Sequence, residues 1–204
     1  MLKWNTYTLT LQVQRLYGGV PKNPDVIKDW LASKGITEPQ AITEAQQAMS
    51  LQAAQEKVWN GFKSNGNGLY IECRQVKAML KDAANVVKKV VEVKNLKNKL
   101  AERVFVQSTA GDPSLQDLIC LGKQKPDGTL ERAIHVDTAM GPRDALKRAD
   151  YVDNVTVAVR LKVLDDGVVT EPLLRDILEY AVEVGLGADR SQGGGHITSW
   201  ELAA

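Results

Sequence analysis

The chain has 204 residues, with 26 Lys and Arg against 25 Asp and Glu for a formal charge of +1. At 44% hydrophobic and 25% charged, it has the composition of a folded globular protein long enough to bury a core. That balance excludes a protein that coats nucleic acid through a large overall basic excess, so any such binding must come from local patches.

Residues 6–17 alternate, with Tyr7, Leu9, Leu11 and Val13 on one side and Thr8, Thr10, Gln12 and Gln14 on the other; this predicts a half-buried strand. Gly18-Gly19 ends it, and Asn23-Pro24 opens a helix carrying Val26, Ile27, Trp30 and Leu31. Thr37 and Gln40 have capping-box spacing before an Ala- and Gln-rich helix of roughly residues 38–60, a surface suited to self-association. Leu69 to Cys73 reads as a short strand leading into a helix from Gln75 to about Val87, with Val76, Met79, Leu80 and Ala83 at helical spacing. Residues 88–103 are basic and apolar without a clear period.

Val104-Phe105-Val106 and Leu118 to Leu121 are strand candidates, Pro126-Asp127-Gly128 a turn, and Ala133 to Val136 the return strand. Val155 to Leu164 alternates again before an Asp165-Asp166-Gly167 turn. Thr170 then caps a helix bearing Leu173, Leu174, Ile177, Leu178 and Ala181. A glycine-rich loop follows from Gly185 to Gly195, and His196 to Trp200 closes the chain as a strand. The order is α+β, read as one domain over 1–204 with an inserted helical or hairpin region near 36–66 and an irregular basic region near 88–132.

No run reaches the length of a membrane span, and the first ten residues carry no export or organelle pattern. Cys73 and Cys120, both in segments that read as strands, lack CxxC spacing and suit a reducing cytoplasm. No HxH or HExxH spacing supports a metal, and no cofactor is expected.

Five glycines in the eleven residues from Gly185 to Gly195 are costly to order. Such a loop is kept where backbone needs positive φ or must lie close to something else, and a phosphate held by backbone amides is one such partner. A glycine C-cap followed by a turn is the plain alternative. The loop is neither a P-loop nor a dinucleotide fingerprint, because it follows a helix and lacks Gly-Lys-Ser/Thr. From Arg74 to Arg103, nine basic residues face three acids, enough for several phosphate contacts; a solvated helix face is the competing account. Gly141-Pro142-Arg143 with Lys147-Arg148 forms a smaller basic cluster. Aromatics are 5% of the chain, which argues against an extended stacking platform; Tyr17 and Tyr70 are the candidates for a single stacked base.

Of the two histidines, His135 lies mid-strand and reads as structural, whereas His196 follows three glycines and could approach a phosphate. No residue is assigned as catalytic, and His196 stands only as a minority candidate.

The strand, helix, glycine-rich loop, strand order carrying Gly185, Gly187, Arg190, Gly193, Gly194 and Gly195 resembles the RAMP proteins of CRISPR systems. The segment Tyr70-Ile71-Glu72-Cys73-Arg74-Gln75-Val76-Lys77-Ala78-Met79-Leu80-Lys81 resembles the stretch where many of those proteins read strand, Pro-Gly-Ser-Ser, basic helix. Here Glu72-Cys73-Arg74 stands in place of the Pro-Gly-Ser-Ser.

The resemblance implies a ferredoxin-like antiparallel sheet with helices on one face, related to RNA-recognition folds. It also implies a non-catalytic RNA- or nucleotide-binding protein, within a ribonucleoprotein of CRISPR type or in self-association. The expected ligand contacts are Gly185, Gly187, Arg190, Ser191, Gly193, Gly194 and Gly195 in the loop, with Arg74, Lys77, Lys81, Lys88 and Lys89 in the basic stretch. Two alternatives remain: a phage or mobile-element protein that binds a nucleotide signal or a host defence protein, and a metal-independent endoribonuclease.

Overall fold

The computed structural model describes residues 2–22, 59–138 and 141–204, over 133–146 by backbone alone. The helix expected at Asn23 and the one expected over roughly 38–60 lie outside these residues, except that Trp59 and Asn60, the expected end of the second, are strand instead. The elements in chain order are β1 (Trp4–Tyr17), β2 (Val20–Pro21), β3 (Trp59–Gly61), β4 (Lys63–Asn65), β5 (Gly68–Glu72), α1 (Cys73–Val87), α2 (Leu96–Arg103), β6 (Val104–Ser108), β7 (Leu118–Cys120), β8 (Gly128–Thr138), β9 (Gly141–Leu164), α3 (Glu171–Val184) and β10 (Ile197–Ala203). The chain forms two compact units. The first comprises Met1–Tyr17, Lys63–Lys125 and Val152–Ala204, and the second Gly18–Phe62 and Pro126–Tyr151.

In the first unit the strands run β10-β1-β9, with β6 on the far side of β9. β10 is antiparallel to β1, and β6 to β9. Between β1 and β9, Lys3 meets Asp165, Gln12 meets Thr156, and Arg15 meets Asp153. Numbers rise on one strand as they fall on the other, so this pair is antiparallel too. Chain order β1-α1-β6-β9-α3-β10 laid out as β10-β1-β9-β6 is the ferredoxin-like arrangement. The hairpin sheet β4-β5-β7 and helix α2 are additions to it.

The period-2 pattern decides which side of the sheet is covered. Leu9, Leu11 and Val13 on β1 and Val155, Val157, Val159, Leu161 and Val163 on β9 are buried. Their alternating neighbours face outward. The covered side receives Val76, Met79, Leu80 and Ala83 of α1 and Leu174, Ile177 and Leu178 of α3, and the two helices pack on each other. Each fully buried leucine contributes about 1.5–3 kcal/mol by leaving water, so this layer dominates the stability of the unit.

Two local readings change. Cys73 begins α1 instead of ending a strand. Glu72, the residue before it, does not cap the helix; its carboxylate is taken by Lys63 and Arg74, which hold it below the usual glutamate range. Thr170 does stand at the N-cap of α3, but its side chain makes no capping hydrogen bond, and the helix enters with a proline in its first turn.

In the second unit, the return strand expected over Ala133 to Val136 is an eleven-residue ladder. β8 pairs antiparallel with the first part of β9, from Gly128 opposite Tyr151 to Thr138 opposite Gly141. β3 adds in parallel to β9, and β2 antiparallel to β3. The hub is Asp150, 1% exposed. Its Oδ1 accepts from Trp59 Nε1 and Thr129 Oγ1, each at 2.9 Å, and Lys22 closes an ion pair on Oδ2. Lys22 and Arg148 also lie over the Trp59 ring.

Candidate functional site

The glycine-rich loop is folded tightly on itself and on the end of β1. Gly185, Gly187, Gly193 and Gly195 all have φ between 74° and 87°, a region that disfavours any side chain. A Cβ at Gly195 would overlap the Leu186 carbonyl outright, one at Gly185 would meet the Gly194 carbonyl, and one at Gly187 would press on Leu16 and the Tyr17 carbonyl. Several of the loop amides are spent in the same way. Leu186 N donates to Gly195 O, Ala188 N to Tyr17 O, Gly194 N to Asp189 O, and Gly195 N to Arg15 O. Four of the five glycines therefore serve close approach of the chain to itself. Gly193 alone among them has open space where a Cβ would stand.

Arg190 begins a single 3-10 turn, and its guanidinium pairs with Asp82 of α1 at 3.0 Å. Its Nη1 is buried with no hydrogen-bond partner. The ion pair pins the loop to the helix. Ser191 and His196 are exposed beside it.

Where the loop meets the strands, a cleft of about 390 Å³ opens, lined by Gln14, Arg15, Tyr17, Asp153, Asn154, Gly193 and His196. Its walls are polar. Arg15 holds Asp153 through two hydrogen bonds, Nε to Oδ1 at 2.6 Å and Nη2 to Oδ2 at 2.9 Å; that pairing raises the Arg15 pKa further. Asn154 sits at φ 53°. Of these residues only Gly193, His196 and Tyr17 stood out in the sequence. Arg15, Asp153 and Asn154 carried no signal, because strand pairing across 138 residues brings Arg15 to Asp153.

The basic stretch divides in two. Arg74, Lys77, Lys81 and Lys88 recur along one flank of α1, but Lys77 is engaged there: its Nζ donates to Ala101 O at 2.8 Å and lies 5.0 Å over the Phe105 ring. Burial, with Lys81 nearby, lowers its pKa. Lys88 Nζ donates to Asn85 Oδ1, while Lys89 and Lys94 are exposed on the turn before α2. The loop residues and Lys88-Lys89 do not converge on one cleft. In the second cluster Arg148 pairs with Glu131 at 2.7 Å. Tyr70 is half-buried on β5.

The two cysteines differ sharply. Cys73 is buried and donates to Gln116 O, and burial pushes its thiol up to about 11; Cys120 is exposed. A thiolate reagent at pH 8 is expected to label Cys120 quickly and Cys73 only on unfolding. Peptide mapping of the alkylated protein checks this, and equal labelling of both in the folded state would contradict it.

Among the described residues, no group of three or more His, Cys, Asp or Glu is placed to hold a metal, and no helix is long and apolar enough to cross a membrane. No family model matches the chain, and no curated protein does. Among solved structures it is similar to a chain in a cryo-EM structure of the Type III-B Cmr-beta bound to cognate target RNA. Identity is 11% and the TM-score 0.47, over 97% of this chain and 61% of that one. The likeness is weak, and this chain spans about 61% of the length of its match.

Proposed function

We propose that this chain is a RAMP-like, non-catalytic protein that binds RNA or a nucleotide. The observation that carries the reading is the polar cleft at the glycine loop. It is about 390 Å³, the low end of the range for small-molecule sites. It offers an aromatic wall (Tyr17), amide side chains (Gln14 and Asn154), an imidazole and the bare backbone of Gly193. With the Leu186, Ala188, Gly193, Gly194 and Gly195 amides spent internally, ligand contacts in the cleft fall to His196 and the open side of Gly193, with the exposed Ser191 next to them in the loop. Lys81, Lys88 and Lys89 supply a separate electrostatic contribution, which is sequence-independent and salt-sensitive. The remaining loop glycines and Arg190 shape the cleft and secure it to α1.

Fluorescence anisotropy with a labelled single-stranded RNA tests the assignment. Lys88→Ala/Lys89→Ala is expected to weaken binding several-fold at low salt and to flatten its salt dependence by a slope of roughly one. Tyr17→Ala is expected to weaken binding without changing that slope. Binding that neither variant alters would sink the reading.

One observation favours a second reading. The cleft brings His196 and Tyr17, with which a metal-independent endoribonuclease could move protons, together with Arg15, a fixed positive charge for a phosphate. That enzyme would release fragments with cyclic phosphate ends and lose cleavage in His196→Ala.

A further inference from the structure

We infer that the face of the first unit's sheet opposite its helices, which no described element of that unit covers, together with the edge of β6, is a second contact surface for single-stranded nucleic acid, with Trp4 and Phe105 as base-stacking residues. This rests on the nucleic-acid reading above but uses none of the cleft residues. Trp4 on β1 and Phe105 on β6 stand 101 positions apart in sequence, yet their ring centroids are 5.7 Å apart at 70°, edge to face. Phe105 is 42% exposed, which is costly for a large apolar ring without a partner.

Lys162, opposite Phe105 in the β6–β9 register, places Nζ 4.6 Å over the Trp4 ring. Arg160, two residues before it on the same face, is exposed and makes no ion pair among the described residues. Beside Phe105 lies a cleft of about 280 Å³ whose wall includes Arg74, Lys77 and Gln107, with Asp117 as its one acid.

The chemistry of the face selects the occupant. The outward positions of β1 from Trp4 to Gln12, of β6, and of β9 from Thr156 to Lys162 are Trp4, Thr6, Thr8, Thr10, Gln12, Phe105, Gln107, Thr156, Ala158, Arg160 and Lys162, without one acid; Asp153, nearer the start of β9, is neutralised by Arg15, and Glu201, on β10 at the other edge, is opposite Thr10. Aromatic rings flanked by cations and hydroxyl or amide side chains suit a strand that offers a base π-face and a phosphate at each step. An acidic or purely apolar partner would leave one half of that set unused.

The experiment is binding of a labelled oligouridylate of about ten nucleotides to the full chain at several salt concentrations. Trp4→Leu and Phe105→Leu are each expected to weaken binding about tenfold with an unchanged salt slope, because stacking releases no counterions. Trp4→Phe should bind within about threefold of the parent. Arg160→Ala/Lys162→Ala should lower the slope by between one and two. Arg160→Ala alone, at an exposed position, should lower the slope by about one, and it carries the test if a ring variant lowers the melting temperature.

Ring and charge variants that bind like the parent, while Tyr17→Ala or Lys88→Ala/Lys89→Ala bind less well, would overturn the sheet-face site and leave the cleft reading standing. A parent that binds no oligonucleotide even at low salt would overturn both. A dimer by light scattering that Trp4→Leu dissociates, with no effect of Trp4→Leu on RNA binding, would assign the face to a second copy of the chain and overturn the proposal.

Discussion

Gly195→Ala is expected to destabilise the first unit by at least about 3 kcal/mol, a large share of the roughly 5–15 kcal/mol that holds a domain together. Two costs combine. A side chain at a left-handed φ of 74° costs about 1–2 kcal/mol, and the added Cβ overlaps the Leu186 carbonyl, which is backbone and cannot swing aside. Relief requires breaking the Leu186 N to Gly195 O bond and moving Gly195 away from Arg15 on β1. Gly193→Ala, with similar φ and open space, should cost only about 1 kcal/mol. Urea unfolding of both variants separates the two costs. Equal effects at the two positions would mean that the loop's close packing does not matter.

Asp150→Ala is expected to cost about 3–5 kcal/mol in the second unit. The substitution takes the acceptor from Trp59 Nε1 and Thr129 Oγ1 and the counter-charge from Lys22 at a site 1% exposed. Asp150→Asn keeps an acceptor oxygen for Trp59 and Thr129 but sets an NH2 donor where Oδ2 faced Lys22, so its cost should be roughly half. Hydrogen exchange over 126–151 reads the effect locally, since the β8–β9 ladder amides gain or lose protection with this hub. Unchanged protection in Asp150→Ala would show that the ladder does not depend on the carboxylate.

Where the chemistry of an element is local, it could be read from the sequence. Val76, Met79, Leu80 and Ala83 mark α1 by their spacing, and Tyr7 to Val13 mark β1 by alternation; both sets are buried as expected. The run of elements marks an α+β class, whereas the ferredoxin-like strand order is expected only from the family resemblance. By contrast, the first part of β9 begins Gly141-Pro142-Arg143-Asp144, poor strand formers held by a ladder with β8. That is tertiary override, which a single segment cannot display.

The site was less legible. Arg190 carries the right charge for a phosphate, but Asp82, 108 residues away, takes part of it. The glycines mark a special backbone correctly, yet what approaches them most closely is the chain itself. Low aromatic content argued against stacking, but register brings two of the few rings, Trp4 and Phe105, to the same place.

The most direct test of the central claim is one incubation of the purified chain with end-labelled single-stranded RNA, followed by anisotropy and then denaturing electrophoresis of the same sample. The account predicts salt-sensitive binding that weakens steeply between about 50 and 200 mM salt, with the RNA recovered at full length. RNA that never binds at the lower salt would contradict it, and so would RNA recovered as shorter fragments with cyclic phosphate ends.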